Sequence, residues 1–291
     1  MNSEKASVTV VVPVMNSEKS VARTFDSILI QTTKPAKIIV VYDRSRDNTL
    51  SIVKTYLRKY PELFTFVQGP GVNAGAARQE GIKIAKTEYI AFLDSDDSYV
   101  ENALEILLAN VEKTGAVCGL VCRVYADGSC KYQNTSANLE ITHDDLKKSN
   151  PIPMSTTMYK HELLKKIGGF DLSLATVEDY DLHLRVTRIT NYTRVKKVIS
   201  FYYVHENPTQ SWRTQGYAKW TAIIWLKHGF IDYSSIWKAL AYSVTNILLV
   251  PVNIIRKLYR PKTRIFHYEY LQILAGYISG LARGYYHYNK N

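Results

Sequence analysis

Phe92-Leu93-Asp94-Ser95-Asp96-Asp97 decides how the rest of the chain is read: an apolar run, Tyr89 to Leu93, stops abruptly in three carboxylates within four residues. Short apolar runs with aromatic and β-branched content read as buried strands. The acids therefore sit where a central strand leaves its sheet, the edge at which open α/β sheets bind ligands. Carboxylates this close repel one another and raise each other's pKa unless a cation neutralises them. A hard divalent ion, Mg²⁺ or Mn²⁺, shared with substrate phosphates is the simplest partner. The competing reading is a solvated acidic loop that caps the next helix, for which Ser98 and Glu101 supply a capping-box pattern.

Working outward, strands alternate with helices. Val8 to Val14, Ile38 to Tyr42, Phe64 to Gln68 and Tyr89 to Leu93 read as strands. Helices are expected from an Asn16 or Ser17 cap to about Gln31, from an Asp47 cap over Thr49 to Tyr60, and from Asn73 to about Ala85. This alternation predicts a doubly wound, mostly parallel sheet. Further on come a helix over Val100 to Thr114 and a strand over Val117 to Tyr125, then a polar excursion from Ala126 to Asn150. After it come a strand over Ser155 to Tyr159, short helices over His161 to Ile167 and Asp179 to Arg188, and a strand over Val195 to Val204. Composition shifts beyond Gln210, so we divide the chain into an α/β domain, residues 1–213, and a basic helical region, 214–291.

The 291 residues are 46% hydrophobic and 22% charged, which excludes a disordered chain. The net charge of +11 implies an anionic partner. From Phe201 onward eleven basic residues face three acidic ones, so the positive charge belongs mainly to the C-terminal region. Cys118, Cys122 and Cys130 form no Cys-x-x-Cys pair, which argues against a zinc site and a disulfide scaffold. They read as buried small hydrophobes in a reducing compartment, and Met1 to Lys5 shows no signal-peptide pattern.

No glycine occurs before Gly69, which excludes a dinucleotide fingerprint after the first strand, and no P-loop pattern exists. Strand one instead runs into Pro13-Val14-Met15-Asn16-Ser17, with Pro13 marking the strand end.

Six blocks in order then resemble the family 2 glycosyltransferases of the GT-A fold. They are Val11 to Asn16, Val40 to Asp47, Asn73 to Ile82, Phe92 to Asp97, Gly168-Gly169-Phe170-Asp171, and Glu178 to Leu182. The resemblance covers roughly the first 210 residues. It implies a nucleotide-sugar donor held by Pro13, Met15, Asn16, Asp43, Arg78, Asp94, Ser95 and Asp96. Asp43 would accept from the base, Arg78 would sit near the base or diphosphate, Asp94 near the ribose and metal, and Asp96 on the metal. The family usually has Tyr where Met15 stands and Asp-Asp-Gly-Ser where Tyr42-Asp43-Arg44-Ser45 stands, so UDP- and GDP-linked donors both stay open. Physical chemistry points the same way: a divalent ion clamped to the diphosphate offsets the charge of the leaving group. Asp94 and Asp96, two apart, project to the same side of an extended chain.

The acidic pair Glu178-Asp179 opens a helix, where acids are also favoured for purely structural reasons. The resemblance makes Asp179 the catalytic base, taking a proton from an acceptor hydroxyl for in-line attack with inversion. His205, at a strand end, is a candidate third metal ligand. In Gln210-Ser211-Trp212-Arg213, Trp212 and Arg213 are candidates to cover the acceptor or diphosphate, together with Glu178.

Ile236 to Ile255 carries a single charge over twenty residues and leads into the basic cluster Arg256 to Arg264 and a Tyr-rich apolar stretch to Tyr288. Basic residues beside apolar helices with Tyr at their edges mark an interfacial membrane anchor; a soluble helical subdomain is the alternative. The expected protein is thus a Mn²⁺- or Mg²⁺-dependent inverting glycosyltransferase on the cytoplasmic face of the membrane. Its expected partners are a nucleotide sugar and a lipid-linked or membrane-bound glycan acceptor, and no nucleic acid. The rivals are a polyprenyl-phosphate sugar transferase and a degenerate transferase that serves as a membrane scaffold or glycan-binding module.

Overall fold

The computed structural model describes residues 6–132, 138–204 and 215–230. Its elements run β1 Ala6–Val14, α1 Val21–Leu29, β2 Pro35–Tyr42, α2 Thr49–Lys59, β3 Phe64–Gln68, α3 Ala74–Ile84, β4 Tyr89–Phe92, β5 Ser98–Tyr99 and α4 Ala103–Val111. They continue with β6 Ala116–Val124, β7 Cys130–Tyr132, β8 Glu140–Ile141, α5 His143–Leu146, a 3-10 turn at Met154–Thr156, β9 Thr157–Lys160, α6 His161–Lys166, α7 Glu178–Thr187, β10 Tyr192–Tyr203 and α8 Gln215–Lys227.

One sheet takes the order β3-β2-β1-β4-β9-β6-β10-β5, with β7 added to β6 and β8 to β10. β1, β2, β3 and β4 are mutually parallel. β9 then runs antiparallel between β4 and β6, and β10 returns parallel to β6. The sheet is therefore parallel on its first half and mixed on its second. β1 has no polar face: Val8, Thr9, Val10, Val11 and Val12 are fully buried, as a parallel strand covered by helices on both sides requires. On one of those sides Phe25 of α1 sets its ring edge against Tyr56 and Phe64, with centroids 5.0 and 5.1 Å away.

Strand order reverses at β1. From β3, at the sheet edge, the chain crosses back through α3 and lays β4 on the other side of β1. This is the switch point at which strand ends splay and leave a crevice. β1 is paired with β4 only as far as Val11–Phe92, whereas its pairing with β2 continues to Val14–Tyr42. Pro13 thus stands inside β1, opposite Val41, and not at its end. Alternation along the strand turns its missing N–H to the side that β4 has already left.

The expected capping box does not form. Ser98–Tyr99 is instead a short strand antiparallel to β10, and α4 starts four residues later behind Asn102. The pairing with β10, a hundred residues downstream, prevails over the local cap. The polar excursion holds two short strands, β7 and β8, and the small helix α5. The cysteine expectation is corrected for Cys130: a turn at Gly128 folds β7 back on β6 and leaves Cys130 exposed, its Cα 6.1 Å from that of the buried Cys122. Cys118 is free and buried.

The chain divides into two compact units, residues 1–208 and 209–291. Of the second unit the structure describes α8 and the turn to Phe230. Among the described residues no helix is long and apolar enough to cross a membrane. The segment expected to reach a membrane, 236–288, lies outside the described residues, as do His205, Trp212 and Arg213.

Candidate active site

The crevice is built from the ends of parallel strands. β2 ends at Tyr42, and Asp43 comes directly after it, 6% exposed. Its Oδ1 accepts from the Gly71 amide at 2.6 Å, and its own amide donates to the Val14 carbonyl at 2.8 Å. The chain must pass close for this to happen: a Cβ on Gly69 would collide with the Asp43 carboxylate. Met15 and Asn16 stand exposed at the end of β1. Asn16 adopts a left-handed conformation (φ 51°), and its Oδ1 accepts from the Arg46 amide at 2.9 Å. The Asn16 amide in turn donates to Ser45 Oγ at 2.9 Å, and the Ser17 amide donates to Thr49 Oγ1 at 2.7 Å. The loops after β1 and β2 are thereby stitched into one rim.

The acidic loop is fixed from behind by α1. Thr24, fully buried, donates to the carbonyls of Ser95 and Asp97 at 3.0 and 2.7 Å. Arg23 donates to the Asp96 carbonyl at 2.9 Å while its guanidinium lies 3.4 Å over the Tyr203 ring. Ser95 and Ser17 share a hydrogen bond of 2.7 Å between their hydroxyls. The Asp94 amide donates to Ser155 Oγ at 3.1 Å. The sequence gives no signal for these supports, because each joins segments tens of residues apart.

Arg78 joins the two groups of acids. It rises from α3, is 4% exposed, and donates through one terminal nitrogen to Asp94 Oδ1 at 2.5 Å and through the other to Glu178 Oε1 at 3.0 Å. Burial pulls its pKa down, but the negative charges of Asp94 and Glu178 outweigh that and hold it above its ordinary value. Glu178 can approach because position 75 is glycine: a Cβ there would fall 2.5 Å from Glu178 Cγ. The helix that carries Glu178 and Asp179 is entered through Val177 in a left-handed conformation (φ 57°), a strained setting for a β-branched residue.

Asp179 is half-buried. Its Oδ1 accepts from the Tyr180 amide at 2.7 Å and its Oδ2 from the Asn150 side-chain amide at 3.2 Å. Burial, then the neighbouring Glu178 charge, push its carboxyl up to about 7, with Arg78 pulling the other way. A group poised there can take a proton near neutral pH. One turn on, His183 is fully buried against the Tyr192 hydroxyl at 2.7 Å, and burial pushes its imidazole down to about 3. It is a neutral packing residue.

Whether a divalent ion suits the acidic loop can be judged from its donors. Asp94 and Asp96 both keep part of their side chains exposed. Asp97 is buried, and its Oδ1 has no hydrogen-bond donor. Burial and the Asp94 and Asp96 charges push its carboxyl well above the usual range. Oxygen donors of this kind fit a hard cation. Among the described residues no three such side chains converge to enclose an ion, so the remaining ligands would come from substrate.

Sequence and structure comparisons bear on the family and the fold. Residues 9–168 match the sequence model named Glycosyl transferase family 2. The chain is 28% identical over 220 residues to an uncharacterized glycosyltransferase of Rickettsia typhi, covering 72% of this chain and 67% of that protein. The fold is similar to that of S. aureus TarS 1–349 in complex with UDP-GlcNAc (TM-score 0.60, 20% identity, 95% of this chain and 80% of that 1–349 chain). It is also similar to the mannosyltransferase PcManGT of Pyrobaculum calidifontis in complex with GDP-Man and Mn²⁺ (TM-score 0.62, 15% identity, 97% and 87%).

Proposed function

The chain belongs to glycosyl transferase family 2, and from that premise we propose that it moves a sugar from a UDP- or GDP-linked donor to a hydroxyl acceptor with inversion. One observation carries the reading: Arg78 lies between Asp94 and Glu178, tying the acids after β4 to the acids of α7 across one crevice. The base of the donor is assigned to Asp43, at the end of β2. Asp94 and Asp96 would hold the divalent ion, which when bound supplies charge stabilisation to the departing diphosphate. The solved neighbours with UDP-GlcNAc and with GDP-Man and Mn²⁺ support a metal-assisted nucleotide-sugar donor and leave the base open.

On the other side of the anomeric carbon, Asp179 takes the proton of the acceptor hydroxyl as its oxygen attacks. Glu178 is neutralised by Arg78, which leaves Asp179 as the carboxylate available for that transfer. We further assign the acceptor to a lipid-linked or membrane-bound glycan, with the chain on the cytoplasmic face of the membrane. That assignment rests on the apolar, Tyr-rich and basic sequence of 236–288.

The test is a thermal-shift screen of the purified chain with UDP, GDP and their common sugars, each with Mn²⁺ and with chelator. Metal-dependent stabilisation by one nucleotide family is expected, about 2.7 kcal/mol at a hundredfold excess over Kd. Folded protein that shifts with none of them overturns the donor site and favours the scaffold reading. Full transfer activity in Asp179→Asn would favour a phosphate acceptor, which needs no base.

A further inference from the structure

The segment 142–153 lies outside the six motif blocks, yet it grips α7 along its length. The Tyr180 hydroxyl donates to the Leu146 carbonyl, and His143 Nδ1 pairs with Thr187 Oγ1 at 3.0 Å. Near its end stands Asn150, whose Nδ2 donates to Asp179 Oδ2 at 3.2 Å and whose Oδ1 accepts from the Ile152 amide at 3.2 Å. The second bond settles the amide's orientation, since only the oxygen can accept from an N–H. Pro151 and Pro153 flank the buried Ile152. Two X-Pro steps restrict the backbone on both sides of it, so Asn150 is held on a stiff arm.

The surroundings of Asp179 make that amide consequential. Glu178 adjoins it, and Asp94 adds negative charge from the end of β4. Arg78 of α3 is the opposing cation, already bound to Asp94 and Glu178. Tyr159 of β9 and Tyr192 of β10 face it as neutral phenols. Apart from the Tyr180 amide, Asn150 is the hydrogen-bond donor to this carboxylate among the described residues. A donor to a carboxylate favours its ionised form and fixes its rotamer.

We propose that Asn150 is a positioning residue that holds the Asp179 carboxylate ionised and aimed at the acceptor hydroxyl. The inference rests on Asp179 as the base, and it gives the polar segment 142–153 the task of carrying that donor.

The decisive variants are Asn150→Asp and Asn150→Ala. The first keeps an oxygen for the Ile152 amide but sets a second carboxyl beside Asp179, whose charge by itself raises the Asp179 pKa. Asn150→Ala, which only removes the donor, must therefore show the same changes for the inference to stand. Turnover is read as release of nucleoside diphosphate from the nucleotide sugar selected in the thermal-shift screen, with Mn²⁺ and with water as acceptor, from pH 5 to pH 9. Asn150→Asp and Asn150→Ala are expected to lower kcat at pH 7 about tenfold, the scale of a hydrogen bond to a charged group. They should move the acid limb of the kcat profile up by about one pH unit and leave the donor KM within about twofold. A second measurement needs no turnover: the pH above which the unfolding free energy, taken relative to Asp179→Asn in the same background, levels off should move up with the limb. Wild-type kcat, limb and plateau in both variants overturn the inference, with Asp179→Asn inactive as the sign that the base itself stands. Full hydrolysis by Asp179→Asn instead overturns the reading of Asp179 from which the inference starts.

Discussion

The two halves of the sheet hold their carboxylates in different ways. In the first half, residues 6–99, Asp43 and the acidic loop are each fixed by several groups at once: backbone amides and small hydroxyls of the loops after adjacent parallel strands, Arg23 and Thr24 of α1, and Ser155 from across the sheet. In the second half Glu178 and Asp179 are fixed by single side chains from distant segments, Arg78 a hundred residues upstream and Asn150 twenty-nine. A parallel βα layout repeats one local geometry, so a site built on it inherits rigidity from the fold. The mixed half has no such repeat, and its acids depend on individual long-range contacts. The first kind of site suits a donor bound the same way each turnover. The second allows the proton affinity of one carboxyl to be tuned.

The hardest way to strain that contrast is Arg78→Ala, because Arg78 belongs to both halves. Removing it leaves Glu178 largely buried and unpaired and Asp94 partly exposed, and chemical denaturation should show a loss of about 3 kcal/mol. Donor-dependent stabilisation should disappear with it. A loss under about 1 kcal/mol would mean that the halves are not joined through this ion pair.

Asp96→Asn should act on the donor half alone. The Mn²⁺-dependent part of the nucleotide shift, about 2.7 kcal/mol at a hundredfold excess over Kd, is expected to vanish while the protein without ligand unfolds as before. An undiminished metal effect would move the ion away from the acidic loop.

Gly75→Ala probes the close approach of α3 to α7. The added methyl meets Glu178 Cβ and Cγ, and overpacking of this kind costs about 1–3 kcal/mol. Unchanged stability in thermal unfolding would show that Glu178 can swing aside, and that its pairing with Arg78 is not enforced by packing.

The smallest expected effect is a pH dependence confined to the second half. The Asp179 carboxyl stands at about 7 in the folded protein and near about 3.9 in the unfolded chain. Between those values the folded state holds a proton that the unfolded state lacks. Stability from this group is therefore complete below about pH 4, falls as pH rises, and levels off above about pH 7. Because Asp179 is only half-buried, the fall should be about 1–2 kcal/mol. Asp97 contributes in the same direction, so the quantity to compare is wild type minus Asp179→Asn. A difference that stays constant from pH 4 to pH 8 would remove the raised carboxyl from the account.

The same contrast explains what can be read from the chain. β1 to β4 and α1 to α3 arise from hydrophobic runs, turn residues and the Asn73 cap, whose side chain accepts from the Ala76 amide as expected. Each of these signals acts over a few residues. Ser98–Tyr99 carries no such local signal, and the expectations of a capping box there and of a buried Cys130 fail. In 126–153 the Asp127-Gly128 turn and the Thr142–Asp145 cap are local, but where they lay β7 and α5 is not. Those placements come from pairing with β10 and β6 and from contacts with α7.

By itself the sequence determined the alternation of strands and helices, the placing of Asp94 and Asp96 where a central strand ends, and the acidic start of α7. These arise from local periodicity and from charge in places where burial is costly. Only the tertiary structure decided that Arg78 binds Asp94 and Glu178 together, that Gly75 makes room for Glu178, and that Asn150 reaches Asp179. Such contacts depend on where distant segments meet, and nothing in the spacing of residues along the chain encodes a distance between a loop at 150 and a helix at 179.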